Sequence, residues 1–344
     1  MKGSREVTIY DVAKALNLSP STISRGLKNH PHIRKETRKK IQAAATEMGY
    51  RQNKFASNLR QKHTNTIGVV VPRLDSYFMA TAIAGIEKVT AENDYGLIIS
   101  QSQESWGKEI SCVNTLFNSR VDGLLVSLAY DTKNMNHFDI FFSKDIPVVF
   151  FDRVADCHGC MSVIIDNYKA GYETTLHLIE QGCRKIVHMG GNMLRNVYSE
   201  RFRGYKQALA DNRIELDMSL VMIGDMSGQS GLETAQKILK MKPRPDGLFT
   251  SNDTTAVAAI VELVRAGINI PGEIAVAGFN NEPVSKVVQP NLTTVDYPAR
   301  EIGEMAASSL INKLKDLMKA DLSSIVLKHN LIVRDSSLKQ GNYI

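Results

Sequence analysis

Apolar positions in this chain follow two different rhythms, and the change between them divides it. Up to residue 50 they recur at helical spacing in three short segments. Along Thr8–Leu16, Ile9, Val12, Ala13 and Leu16 share one face, with Thr8 placed to cap and Asp11 in the first turn. Asn17 and Leu18 make a turn. Ser19 then suits the N-cap of a second helix, and Pro20 its first position, where a missing N–H costs nothing. Ile23 and Leu27 point inward from that helix, which leaves Ser21, Ser24 and Arg25 outward. A third helix is expected from about Lys35 to Met48, stopped at Gly49. Together these predict a small all-α helix-turn-helix headpiece, residues 1–50.

From residue 63 onward, short continuous apolar runs alternate with amphipathic stretches. The runs lie at 67–71, 97–99, 124–126, 148–151, 163–165, 186–188, 247–249 and 274–277. Helices are expected at Thr81–Asn93, Ala170–Gln181 and Thr254–Ala266. Strands without polar alternation, separated by helices, predict an α/β body whose parallel sheets are covered on both faces. Ligands bind such sheets beyond the C-terminal ends of the strands. Polar residues gather at those ends: Arg73 and Asp75, Ser100 and Gln101, Asp152 and Arg153, Asp166 and Asn167, Asn252 and Asp253, Asn280 and Asn281. One cleft suited to a hydroxyl-rich small molecule follows. Asp253 is expected to cap the helix starting at Thr254, and Asp166 or Asn167 the one near Tyr168.

Charge sharpens this division. Residues 1–62 hold 14 Lys and Arg against 4 Asp and Glu, a net of +10, while the remainder holds 28 against 32, a net of −4. A basic small domain on a mildly acidic body fits a phosphate backbone as partner. No apolar run approaches the roughly 20 residues of a membrane span, and the first residues lack a signal-peptide core, so a cytoplasmic protein is expected.

Residues 7–13, 18–25, 36–38 and 48–51 closely resemble, in order and without gaps, the LacI/GalR family of bacterial repressors. The resemblance extends through Phe151-Asp152-Arg153, Asp166-Asn167, Arg201-x-x-Gly204-Tyr205, Ser251-Asn252-Asp253 and Leu292-Thr293-Thr294-Val295 to nearly the whole chain. It implies a two-lobed core like that of periplasmic sugar-binding proteins. By this likeness Pro20, Ser21 and Arg25 enter the major groove, Thr22 and Ser24 lie on the same DNA-facing helix, and Thr8, Tyr10 and Ser19 approach phosphates. Arginine offers guanine a bidentate fork. Ser19 is equally suited to capping alone. Residues 51–62 resemble the family's hinge, in which Asn53 caps a short helix, Ala56 shares a face with Leu59, and Leu59 wedges into a base step from the minor groove. Packing against a partner helix is the plainer role for Leu59.

The same resemblance makes Asp152, Arg201, Asn252 and Asn280 effector contacts, Arg73 and Asp75 join them from the polar strand ends, and the expected ligand is a sugar or sugar derivative. Asn280 stands where the family usually has an acid, and Met226 near an aromatic platform of some members. Crossings between the lobes are placed near 162–167, 291–298 and 321–326. The first lobe is then 63–163 plus 295–322, and the second 164–293 plus 325–338. Expected partners are pseudo-palindromic operator DNA, a small effector and a second copy of the chain, since no heptad follows Ser336 to join two dimers.

Catalytic signatures are missing. Cys157-His158-Gly159-Cys160 is a lone pair without the second pair a zinc site needs, and reads as a surface loop. Four cysteines in a cytosolic chain are expected as thiols. Gly190-Gly191 lacks the rest of a dinucleotide fingerprint. The reading is therefore a regulator with no cofactor and no metal. A transport-type binding protein would not need residues 1–62, and a sugar-modifying enzyme would need more than Asp152 and Asp166.

Overall fold

In the computed structural model, residues 7–50, 63–155, 160–316 and 324–339 are described. Two compact units, residues 1–64 and 65–344, make up the chain.

Within the first unit, α1 (Ile9–Leu16), α2 (Pro20–Leu27) and α3 (Lys35–Glu47) close on a core of Val12, Ala13, Ile23 and Ile41. Leu16, Leu18, Leu27, Met48 and Tyr50 pack around it. Thr8 and Asp11 form a capping box: Thr8 Oγ1 accepts from Asp11 N, and Asp11 Oδ2 from Thr8 N at 2.8 Å. Asn17 closes α1 in the left-handed region at φ 51°, which a short polar side chain tolerates. Gly26 is buried where α2 meets α3, and a Cβ there would press on Ile41 Cδ1, the movable end of a side chain.

Two six-stranded sheets form the second unit. The first is built from β1 (Thr66–Val71), β2 (Gly96–Gln101), β3 (Gly123–Val126), β4 (Val148–Phe151), β5 (Met161–Ile165) and β11 (Ser324–Leu327). Its order is β11-β5-β4-β3-β1-β2, every pair parallel. The second holds β6 (Ile186–Gly190), β7 (Val221–Ile223), β8 (Gly247–Thr250), β9 (Ala275–Phe279), β10 (Thr293–Asp296) and β12 (Asn330–Ile332). It runs β12-β10-β9-β8-β6-β7, and only β12 is antiparallel. Central strands β3, β4, β6, β8 and β9 are buried at every residue, whereas edge strand β2 is not, which explains why the former read as unbroken apolar runs.

Helices α4 (Tyr77–Glu92), α5 (Trp106–Asn118), α6 (Asp139–Phe142) and α11 (Ala299–Leu314) accompany the first sheet, and α7 (Asn167–Glu180), α8 (Asn196–Asp211), α9 (Gly228–Lys240) and α10 (Asp253–Arg265) the second. α7 and α8 touch backbone to backbone. A Cβ on Gly171 would strike Arg201 O, and one on Gly204 Tyr168 O. This close approach carries Arg201 into the interior beneath the strand ends.

Several sequence expectations shift. α4 begins at Tyr77 rather than Thr81, because Phe78 and Met79 are buried and the helix must reach back to cover them. β11 belongs to the first sheet through Leu327, so the third crossing falls between Leu327 and Asn330, beyond the expected 321–326. The chain leaves the second sheet only after Asp296, which puts the start of the first lobe's return at α11. Cys160 is disulfide-bonded, against the expectation of four thiols, while Cys112 and Cys183 are free. Among the described residues, no helix is long and apolar enough to cross a membrane.

Candidate nucleic-acid surface and ligand cleft

On the headpiece, Tyr10 (63% exposed), Ser19, Ser21 and Arg25 stand out to solvent, with Thr8, Pro20, Thr22 and Ser24 half-buried beside them. Ile23 and Gly26 anchor the opposite side of α2. Ser19 Oγ accepts from Thr22 N at 3.1 Å and lies 2.8 Å from Ser21 Oγ, so Ser19 caps α2 while remaining exposed. That arrangement leaves the Ser21 hydroxyl at the exposed start of α2 with Arg25 one turn on, the chemistry that receives phosphate and base edges. Asn53, Ala56 and Leu59 lie outside the described residues.

In the second unit, a cleft of about 740 Å³ opens between the sheets, beyond the C-terminal ends of their strands. Arg73, Asp75, Asp152, Arg201, Asn252 and Asn280 all line it. Their availability differs. Arg73 grips Asp75 through both carboxylate oxygens, at 2.9 and 2.8 Å. Asp152, held at φ 59°, accepts from Ser127 Oγ at 3.2 Å and Tyr297 Oη at 3.0 Å. Burial pushes its carboxyl above the ordinary range although Arg153 and Arg201 pull it down. Arg201 donates from Nε to Asn167 Oδ1 at 2.9 Å and from Nη1 to Ser251 O at 2.8 Å, and stacks 3.5 Å from the Phe279 ring. Burial lowers its pKa to about 10.

Asn252, not the expected Asp253, caps α10: its Oδ1 accepts from Thr255 N at 2.9 Å, and its Nδ2 donates to Met226 O at 2.8 Å. Asp253 is buried one residue later, where it accepts from Glu282 N and Thr294 Oγ1, and burial raises its pKa to about 8. It pins the loop after β9. There Asn280 (φ 106°) and Asn281 (φ 52°) take left-handed conformations that turn Glu282 inward, to 7% exposure. Asp166 caps α7 by accepting from Lys169 N.

Direct hydrogen bonds join the lobes around the cleft. Tyr130 Oη donates to Gly224 O at 2.6 Å, Asn192 Nδ2 to Tyr130 O at 2.9 Å, and Arg195 Nη2 to Thr132 O at 2.7 Å. Arg153 Nη2 reaches Tyr198 Oη at 3.2 Å. Beneath this seam Glu109, wholly buried, accepts from Ala129 N and Thr132 Oγ1 and pairs with His137 Nε2 at 3.0 Å.

Residues 8–53 match the model of the bacterial regulatory proteins of the lacI family, and residues 175–337 that of a periplasmic binding protein-like domain. Catabolite control protein A of Priestia megaterium is 30% identical over 332 residues, 96% of this chain and 99% of that protein. The chain belongs to the lacI family. The solved structure of the transcriptional regulator CelR in complex with cellobiose is 25% identical with a TM-score of 0.72, covering 96% of this chain and all of that one. The Lac repressor dimer bound to operator and the anti-inducer ONPF has a TM-score of 0.86 over 97% of this chain and 100% of that one, at 23% identity, a likeness of fold. This lacI-family chain is thus a transcriptional regulator rather than an enzyme.

Sequence reading missed part of the regulator's cleft. Tyr198, Glu104, Asp225 and Glu282 also line it. Arg153, expected at a polar strand end but not among the effector contacts, lines it as well. Glu282 puts an acid in the same lining, two residues after Asn280.

Proposed function

We propose that this regulator binds a pseudo-palindromic operator in the cytoplasm as a homodimer, and that a small polar effector, a sugar or sugar derivative, sets its operator affinity from the cleft. The single observation that carries the reading is the cleft itself, walled by both lobes and lined by hydrogen-bonding side chains on a chain whose other unit is a basic helix-turn-helix. Arg25 and Ser21 read bases from the start of α2, Pro20 meets apolar base edges, and Tyr10, Thr8 and Ser19 hold phosphates. Asp152, Asn280 and the free Nη2 of Arg201 serve the effector's hydroxyls, and Asn252 shapes the wall through its cap.

Lobe closure supplies the switch. The bonds of Tyr130, Asn192 and Arg195 exist only when the lobes meet, so a ligand that touches both walls shifts the closure equilibrium. Couplings of this type are about 1–3 kcal/mol, roughly 5- to 150-fold in operator affinity. Selection of bound sequences from a random double-stranded DNA pool by the full-length protein tests the first half. An inverted repeat whose recovery depends on Arg25 is expected. Enrichment of no sequence at near-physiological salt would refute operator recognition.

A further inference from the structure

The cleft's charges are unbalanced. Among the described residues its walls carry Asp75, Glu104, Asp152, Asp225 and Glu282 against Arg73, Arg153 and Arg201, with no lysine or histidine. Each arginine already has partners: Arg73 holds Asp75, Arg153 Nη1 binds Glu104 Oε2 at 2.7 Å, and Arg201 holds Asn167 and Ser251 beside Asp152. Asp225 and Glu282, both on the second lobe, are bonded to no cation. Ser227 N and Ser230 Oγ donate to Asp225 Oδ1, which holds its carboxyl below the ordinary range. Glu282, more than nine-tenths buried, receives Thr254 Oγ1 at 3.1 Å and only a long contact of 3.4 Å from Asn280 Nδ2.

A buried carboxylate without a counter-charge is costly, and a ligand cation removes that cost through charge-assisted hydrogen bonds. An anionic ligand would find Arg73 and Arg153 already in ion pairs, only Nη2 of Arg201 open to it, and two unpaired carboxylates on the same walls. A purely hydroxylic one would leave Glu282 uncompensated.

We infer that the effector is a polyhydroxylated amine, cationic at neutral pH, whose ammonium group is met by Asp225 and Glu282 while its hydroxyls meet Asp152, Asn280 and Arg201. The inference rests on the effector reading above and narrows it to one charge class. The same count disfavours phosphorylated sugars, sugar acids and nucleotides.

The test is thermal unfolding of the full-length protein with matched sets: glucose, glucosamine and glucuronate, then the galactose and mannose counterparts. The amine of at least one set is expected to raise Tm at a concentration about tenfold or more below its neutral counterpart, the factor of one charge-assisted bond. Glu282→Gln should erase that preference and leave the neutral sugar within about threefold; Asp225→Asn, at an exposed position, provides the same reading if Glu282→Gln folds poorly. A neutral or acidic member that matches or beats the amine would overturn the inference while leaving the effector reading intact. Preference for the amine that survives both substitutions would overturn it as well. No shift with any member would overturn the inference and the effector reading together, and operator selection would still stand.

Discussion

His188, in the middle of β6, converts acid into a measurable loss of stability. Its ring is fully buried between Phe202, Tyr205 and Phe249, with centroids 5.5, 5.0 and 5.0 Å away, and neither ring nitrogen has a hydrogen-bond partner among the described residues. Burial first, and the nearby Arg201 charge second, lower its pKa from 6.5 to about 3. The unfolded chain therefore binds a proton that the folded chain refuses. Stability from this group is complete above about pH 6.5 and is lost as pH falls toward 3. At 1.36 kcal/mol per pH unit, the loss between pH 7.5 and pH 5 is about 2 kcal/mol. Urea unfolding followed by the fluorescence of Trp106, the only tryptophan, measures it. His188→Phe should flatten the pH dependence by about that amount, with the difference growing steadily below pH 6.5. A variant whose unfolding free energy falls with acid as steeply as the parent's would refute the assignment of that slope to His188.

Three further outcomes follow from other parts of the chain. Arg25→Ala should relax selectivity at one operator base pair at a cost of about 1–3 kcal/mol while binding to random DNA changes little, as competition gel shifts will report. Gly204→Ala should destabilise the second unit by at least about 1–3 kcal/mol in urea unfolding, because the new methyl meets the Tyr168 carbonyl on a neighbouring helix rather than a movable side chain. Tyr205→Phe removes a buried hydroxyl that donates to Ile186 O at 2.9 Å, and should lower unfolding free energy by about 1–3 kcal/mol with operator selectivity unchanged.

What the sequence made legible is what local forces decide. Val12, Ile23 and Ile41 declare their faces through helical spacing alone, and Thr8 and Ser19 announce caps that the structure forms. The buried central strands are equally plain, since Val148–Phe151 or Ala275–Phe279 admit no polar residue on either face. β7 escaped notice because only Met222 of its three residues is buried, leaving no run to detect. Asn252 and Asp253 were indistinguishable as caps, both being short acceptors ahead of one helix; the pull of Thr294 and the loop at Glu282 decided between them. Glu282 enters the cleft because two consecutive asparagines turn left-handed, a feature that spacing does not encode. The cluster of Glu109, Thr132 and His137 depends on contacts more than twenty residues apart, which no local pattern carries.

One measurement bears most directly on the central claim: the dissociation constant of the full-length protein for its selected operator, with and without saturating amine-bearing ligand, for the parent and for Asp152→Asn. The account predicts a change of roughly 5- to 150-fold in the parent, in either direction, and its loss or sharp reduction in the variant. Equal operator affinity at every ligand concentration that saturates the cleft would contradict it.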